Sequence, residues 1–143
     1  MKYTIETIIS KPLQQVTQLY NDTSNNSKWM PGFISHEINS GSHRNAGSRS
    51  TFTFKMNGRD FTMTETIIKN NLTEIVVEFI SNGTVNTQIT QFSKINEHST
   101  SYRVHESFKL KGFMIIIGLL MPNAFKKQTR KFVDAFKSFA ENQ

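Results

Sequence analysis

A chain of 143 residues that is 36% hydrophobic and 20% charged, with a mean hydropathy of −0.43, is sized for one domain spanning 1–143 and is too polar for an integral membrane protein. Its twelve Phe argue against disorder, and the absence of Cys excludes disulfide scaffolds, thiolate metal sites and cysteine nucleophiles, pointing to a reducing, cytoplasmic setting. Seventeen Lys and Arg against eleven Asp and Glu give a net charge of +6, which favours anionic partners without dictating a fold.

In chain order, Tyr3, Ile5, Thr7 and Ile9 alternate as the buried face of a first strand, with no apolar stretch of signal-peptide length. Ser10-Lys11-Pro12 then reads as a helix start, with Ser10 as cap and Pro12 in the first turn. Leu13, Val16, Leu19 and Tyr20 follow at helical spacing, and Trp29-Met30-Pro31-Gly32 predicts a second short turn or helix. From Phe33 to Leu110 the pattern is strands and tight turns. Asn57-Gly58 predicts a two-residue hairpin that pairs Phe54 with Phe61, Phe52 with Met63 and Ser50 with Glu65 on an apolar face, and Lys55 with Asp60 on a polar one. At Ser81-Asn82-Gly83 a three-residue loop with a bulge separates the faces better than a two-residue loop. It predicts Phe79 opposite Val85, Val77 opposite Thr87 and Ile75 opposite Ile89. Tyr102, Val104, Glu106, Phe108 and Leu110 alternate again, and Gly112 ends that strand.

The nine-residue apolar run Phe113 to Met121 is short of the roughly 20 residues a bilayer span needs. It reads as early turns of a helix with Pro122 as a kink or fresh start, as a cavity lid, or as an apolar edge touching an anionic membrane beside Lys109, Lys111, Lys126, Lys127, Arg130 and Lys131. From Pro122 a helix about 33 Å long presents Phe125, Thr129, Phe132, Val133, Phe136, Phe139 and Ala140 as a stripe roughly 120° wide.

A strand, two short helices, six strands and a long C-terminal helix give an α+β fold. A seven-stranded curved antiparallel sheet has the long helix packed across its apolar face. This order, with Ile9-Ser10-Lys11-Pro12 before an amphipathic helix, Trp29-Met30-Pro31-Gly32 before the second strand and Gly112 before the long helix, resembles the START-like (SRPBCC) helix-grip superfamily over the whole chain. That group includes polyketide cyclase/dehydrase-like and lipid-transport proteins, and the birch pollen allergen shares its fold. The resemblance implies an apolar cavity between sheet and helix that binds or transports a lipid-, polyketide- or isoprenoid-like molecule. An aromatase/cyclase using acid/base residues in the same cavity is the alternative.

On the face assigned inward, Glu65 lies between Met63 and Ile67, and Glu106 between Val104 and Phe108. A lone buried carboxylate is costly, so these two positions imply a wet cavity or hidden partners. His36 and Arg59 are further inward candidates. The expected ligand site is Glu65, Glu106 and His36 at polar ends, with Phe52, Phe54, Met63, Phe79, Tyr102, Phe108, Phe132 and Phe136 as walls. No two of the four His stand at ligand spacing, so no metal is expected, and no phosphate-cradling loop is present, so no other cofactor is expected either. Inward aromatics and the lack of a recognition motif argue against nucleic acid as partner. A monomer or homodimer is compatible with the sequence.

Overall fold

The computed structural model describes residues 1–143. Strand β1 (Lys2–Ile9) is followed by α1 (Leu13–Asn21), a 3₁₀ turn at Thr23–Asn25 and α2 (Asn26–Trp29). Then come β2 (Phe33–Ser40), β3 (Arg49–Met56), β4 (Arg59–Asn70), β5 (Glu74–Ser81), β6 (Thr84–Asn96) and β7 (Ser99–Leu110). Two helices close the chain, α3 (Phe113–Leu120) and α4 (Pro122–Glu141). All seven strands form one antiparallel sheet in the order β1-β7-β6-β5-β4-β3-β2. Only the β1–β7 pairing is non-sequential, as short hairpin connections require. Register breaks in β2, β4 and β6 supply the bulges that bend such a sheet.

The Asn57-Gly58 hairpin has the expected register: Met56 faces Arg59, Phe54 faces Phe61, and Ser50 faces Glu65. Asn57 and Gly58 both have positive φ, 51° and 76°, as a type I′ turn demands. The second hairpin departs from expectation. Ser81 pairs with Thr84, Phe79 with Asn86 and Val77 with Gln88, so the loop is the two-residue Asn82-Gly83. Asn86, Gln88, Thr90 and Phe92 therefore face inward, and Val85, Thr87 and Ile89 lie on the convex side. The faces do mix, because the interior at Asn86 and Gln88 is polar.

Helix α4 crosses the concave face and buries Thr129, Val133, Phe136 and Ala140. Its stripe meets Ile5, Ile9, Val16, Trp29, Ile67, Ile75, Phe92, Tyr102 and Val104 in one core. Burial of large side chains such as these contributes about 1.5–3 kcal/mol each. Ser10 does not cap α1. Pro12 occupies the N-cap position in extended conformation, its carbonyl accepting from Val16, while the Ser10 N–H donates to Glu141 Oε2 at 2.8 Å. That bond ties the end of β1 to the end of α4. Pro122 is a fresh start rather than a kink: Met121 leaves helical geometry (φ −130°, ψ 60°), and Pro122 opens α4, where its missing N–H costs nothing. No helix is long and apolar enough to cross a membrane.

Candidate functional site

Both inward carboxylates are buried, each 4% exposed, and each stands in its own polar group. Glu65 on β4 accepts a hydrogen bond from Ser50 Oγ (2.9 Å) across the hairpin. Ser50 Oγ in turn lies 2.8 Å from His36 Nε2 on β2. With its proton committed to Glu65, Ser50 accepts from His36, which fixes the imidazole N–H on Nε2. Burial pushes the His36 pKa down, and Arg44 and His43 reinforce the shift. A neutral His36 makes the 3.8 Å approach of Nε2 to Glu65 Oε1 a serine-bridged contact rather than an ion pair. The His36 ring also stacks on Phe52, with centroids 4.2 Å apart and planes 14° from parallel.

The cation of this group is Arg44, whose Nη1 lies 3.8 Å from Glu65 Oε2. It comes from the β2–β3 loop, in left-handed backbone (φ 63°). Asn70 Nδ2 clamps it by donating to the Arg44 carbonyl and to Asn21 Oδ1, both at 3.0 Å. Burial raises the Glu65 pKa, with Arg44 and the Ser50 hydrogen bond opposing.

Glu106 on β7 forms the second group. Its Oε1 accepts from Gln88 Nε2 (2.9 Å) on β6 and from Thr129 Oγ1 (3.2 Å) on α4. Tyr3 Oη lies 2.8 Å from the same Thr129 hydroxyl. Burial raises the Glu106 pKa, and the hydrogen bonds from Gln88 and Thr129 offset part of that. The Tyr3 phenol is pushed up to about 12, chiefly by burial. Phe108 screens this group, 5.9 Å from Tyr3 and 4.9 Å from Phe125 between centroids.

Between the two groups stand Tyr20, Trp29, Phe92, Tyr102 and Phe136. Tyr20 lies 5.2 Å from Phe92 and 5.1 Å from Phe136, and Trp29 lies 5.1 Å from Phe136. Such geometries add about 0.5–1.5 kcal/mol per pair beyond area burial. Four buried polar atoms have no partner: Trp29 Nε1, Arg44 Nε, Asn86 Oδ1 and Glu106 Oε2. Buried polar atoms are ordinarily satisfied, so these two donors and two acceptors are unmatched hydrogen-bonding groups of the interior.

Of the expected wall residues, Phe52, Phe54, Tyr102 and Phe136 are buried, and Met63, Phe79, Phe108 and Phe132 are half-buried. Phe54 meets Phe132 on α4 at 5.7 Å, and Phe52 meets Phe79 at 6.3 Å. His36, Glu65 and Glu106 all face the interior. Arg59 does not: it is exposed at the hairpin tip, opposite Met56. Arg44, Ser50, Gln88, Asn86, Thr129, Tyr3, Tyr20 and Trp29 complete the polar and aromatic groups but were not among the expected site residues. Their sequence signals were the inward alternation of Tyr3, the helical spacing of Tyr20 and Thr129, and the hairpin register that set Ser50 opposite Glu65. An open depression of about 620 Å³ lies on the opposite side of the sheet, lined by Thr4, Thr87, Gln91 and His105 among others. Only two of its ten lining residues are hydrophobic, so it does not suit an apolar ligand.

No protein-family model matches the chain, and no curated protein matches it in sequence. Solved structures do match it along its length. An aromatase/cyclase from Streptomyces sp. R1128 superposes with a TM-score of 0.81 at 11% identity, covering 99% of this chain and 93% of that one. A START superfamily protein from Mycobacterium smegmatis gives 0.80 at 12% identity, covering 99% and 97%. A norcoclaurine synthase from Thalictrum flavum, solved with dopamine and hydroxybenzaldehyde, gives 0.73 at 16% identity, covering 100% and 87%. With its antiparallel seven-stranded sheet gripped by a C-terminal helix, this chain has the START-like (SRPBCC) helix-grip fold.

Proposed function

We propose that this protein binds a hydrophobic small molecule of lipid, polyketide or isoprenoid type between the concave face of the sheet and α4, and carries it without changing it. The observation behind this reading is the set of four orphaned buried polar atoms, all around one aromatic interior. A ligand with an apolar body and two or more oxygens satisfies both kinds of orphan. It accepts from the Trp29 and Arg44 N–H groups and donates to Glu106 or Asn86, while its body lies on Phe52, Phe54, Phe79 and Phe132. Adding such bonds to groups already desolvated contributes more than the usual net hydrogen bond, because the desolvation cost is already present.

The second reading is an aromatase/cyclase-type enzyme, and two buried carboxyls with raised pKa favour it. A carboxyl whose ionisation burial disfavours is suited to act as a general acid, and a ligand carbonyl beside Glu106 Oε2 would be polarised by its proton. Trp29 is the sole tryptophan, buried at 8% exposure with a free indole N–H, so its emission reports occupancy. Titration with long-chain fatty acids and with hydroxylated polycyclic ketones should give a saturable, one-to-one change for one class. Glu106→Gln should weaken that binding severalfold. Consumption of the bound ketone, abolished in Glu106→Gln or Glu65→Gln, would establish the enzyme instead. No emission change with either class would refute both readings.

A further inference from the structure

Helix α3 is apolar on every side, yet none of its residues is buried. Phe113, Leu119 and Leu120 are 70%, 77% and 74% exposed, and Ile115, Ile116 and Met121 stand at about half. A helix hydrophobic all round belongs in a core or in lipid, and a contiguous exposed apolar patch of this kind marks an interaction site. The helix is nevertheless held in place. Lys111 N–H donates to the Gly83 carbonyl (2.8 Å), the turn at Gly83 sits against Met114, and Gly118 backs onto Leu110. The exposed side chains are therefore presented by a docked element at the end of the sheet where β7 runs out and the β5–β6 turn lies.

Charge identifies what covers it. From Ser107 to Val133 the chain has six cations and no acidic residue: Lys109, Lys111, Lys126, Lys127, Arg130 and Lys131. All six are exposed or at the rim, and only Arg130 has an ion-pair partner, Asp134 at 3.7 Å. Two cations precede α3 and four lie in the first turns of α4, so the apolar segment is bracketed by positive charge on both sides. A second copy of this chain would bring the same cations against themselves. An anionic bilayer satisfies both features at once, with headgroups taking the lysines and acyl chains the leucines.

We propose that α3 is an interfacial docking helix that seats this protein on anionic lipid bilayers. At eight residues, or about 12 Å, it lies in the interface and does not span. Its test is co-sedimentation with vesicles of phosphatidylcholine alone and of an equal phosphatidylcholine and phosphatidylglycerol mixture, alongside the molecular mass in solution. The wild-type protein should pellet with the anionic vesicles, should stay in solution with the neutral ones, and should be released by molar salt, where the Debye length falls to about 3 Å. Lys126→Gln with Lys127→Gln should lower the partition coefficient about 30-fold, at one near-surface cation each. Leu119→Ser with Leu120→Ser should lower it at least about tenfold while leaving the melting temperature unchanged, since both side chains are already in water. Absence of pelleting, equal pelleting on both vesicles, or either variant behaving as wild type would overturn the proposal. A dimer in solution that the leucine variant dissociates, without vesicle binding, would assign the patch to a second copy instead.

Discussion

Replacing Glu106 by Gln tests whether the carboxyl is held against its own ionisation. Gln is nearly isosteric, and its carbonyl can keep the hydrogen bonds that Glu106 Oε1 accepts from Gln88 (2.9 Å) and Thr129 (3.2 Å). What changes is the charge, which burial disfavours in the folded state. The folded pKa is raised above its unfolded value, so between the two values the native state binds more protons than the unfolded one. Stability therefore falls as pH rises through that window, by up to about 1.4 kcal/mol per pH unit for a single group, and stays reduced above it. Glu106→Gln removes this loss. The variant should match the wild-type protein below the unfolded glutamate pKa, near pH 4, and gain on it progressively as pH rises from there. Urea titrations of both proteins at half-unit pH steps give the difference directly, and taking the difference cancels His36, whose lowered pKa acts in the opposite direction. A difference that stays flat with pH, or one that favours the wild-type protein at neutral pH, would refute the claim that Glu106 is desolvated.

Other perturbations probe other parts of the site. Phe136, fully buried among Tyr20, Trp29 and Tyr102, should cost about 3–5 kcal/mol as Phe136→Ala in chemical denaturation. A loss under about 1.5 kcal/mol would mean that the aromatic cluster is loosely filled. Arg44→Met removes the cation beside Glu65, and carbon-detected NMR titration should show the Glu65 pKa rising further. An unchanged value would place Arg44 outside its field. Gly32 has φ +73°, and a Cβ there would run into the Lys55 carbonyl oxygen, so Gly32→Ala should lower the melting temperature by several degrees. An unchanged melting temperature would show that the β2 entry yields freely.

The fold was legible where local chemistry and face alternation agree. Asn57-Gly58 demanded a type I′ turn, and the register it implied placed Ser50 opposite Glu65, which is the contact that satisfies that carboxylate. At Asn82-Gly83 the two signals conflicted. The rule that one face should be apolar favoured the wrong loop, because Asn86 and Gln88 face inward, where Gln88 donates to Glu106. The anomaly at Glu106 and the mixed face at Gln88 were two halves of one hydrogen bond, and nothing local joins residues 18 positions apart. Arg44 was hidden for a similar reason. Its Gly-flanked loop has no periodicity, and only Asn21 and Asn70, from α1 and the end of β4, fix its orientation toward Glu65. The Phe stripe of α4 was readable as a buried face, but not the packing of Tyr20 and Trp29 against Phe136, which depends on how α1 and α2 dock.

The central claim, a small molecule held between sheet and α4, is tested most directly by native mass spectrometry of freshly purified protein, with organic extraction of whatever is released. The account predicts a discrete mass above that of the polypeptide, lost on denaturation and recovered in the extract as an apolar compound bearing oxygen. A bare polypeptide mass that gains nothing after incubation with fatty acids, isoprenoids and polycyclic ketones would contradict it, and would mean that the aromatic side chains fill the space they line.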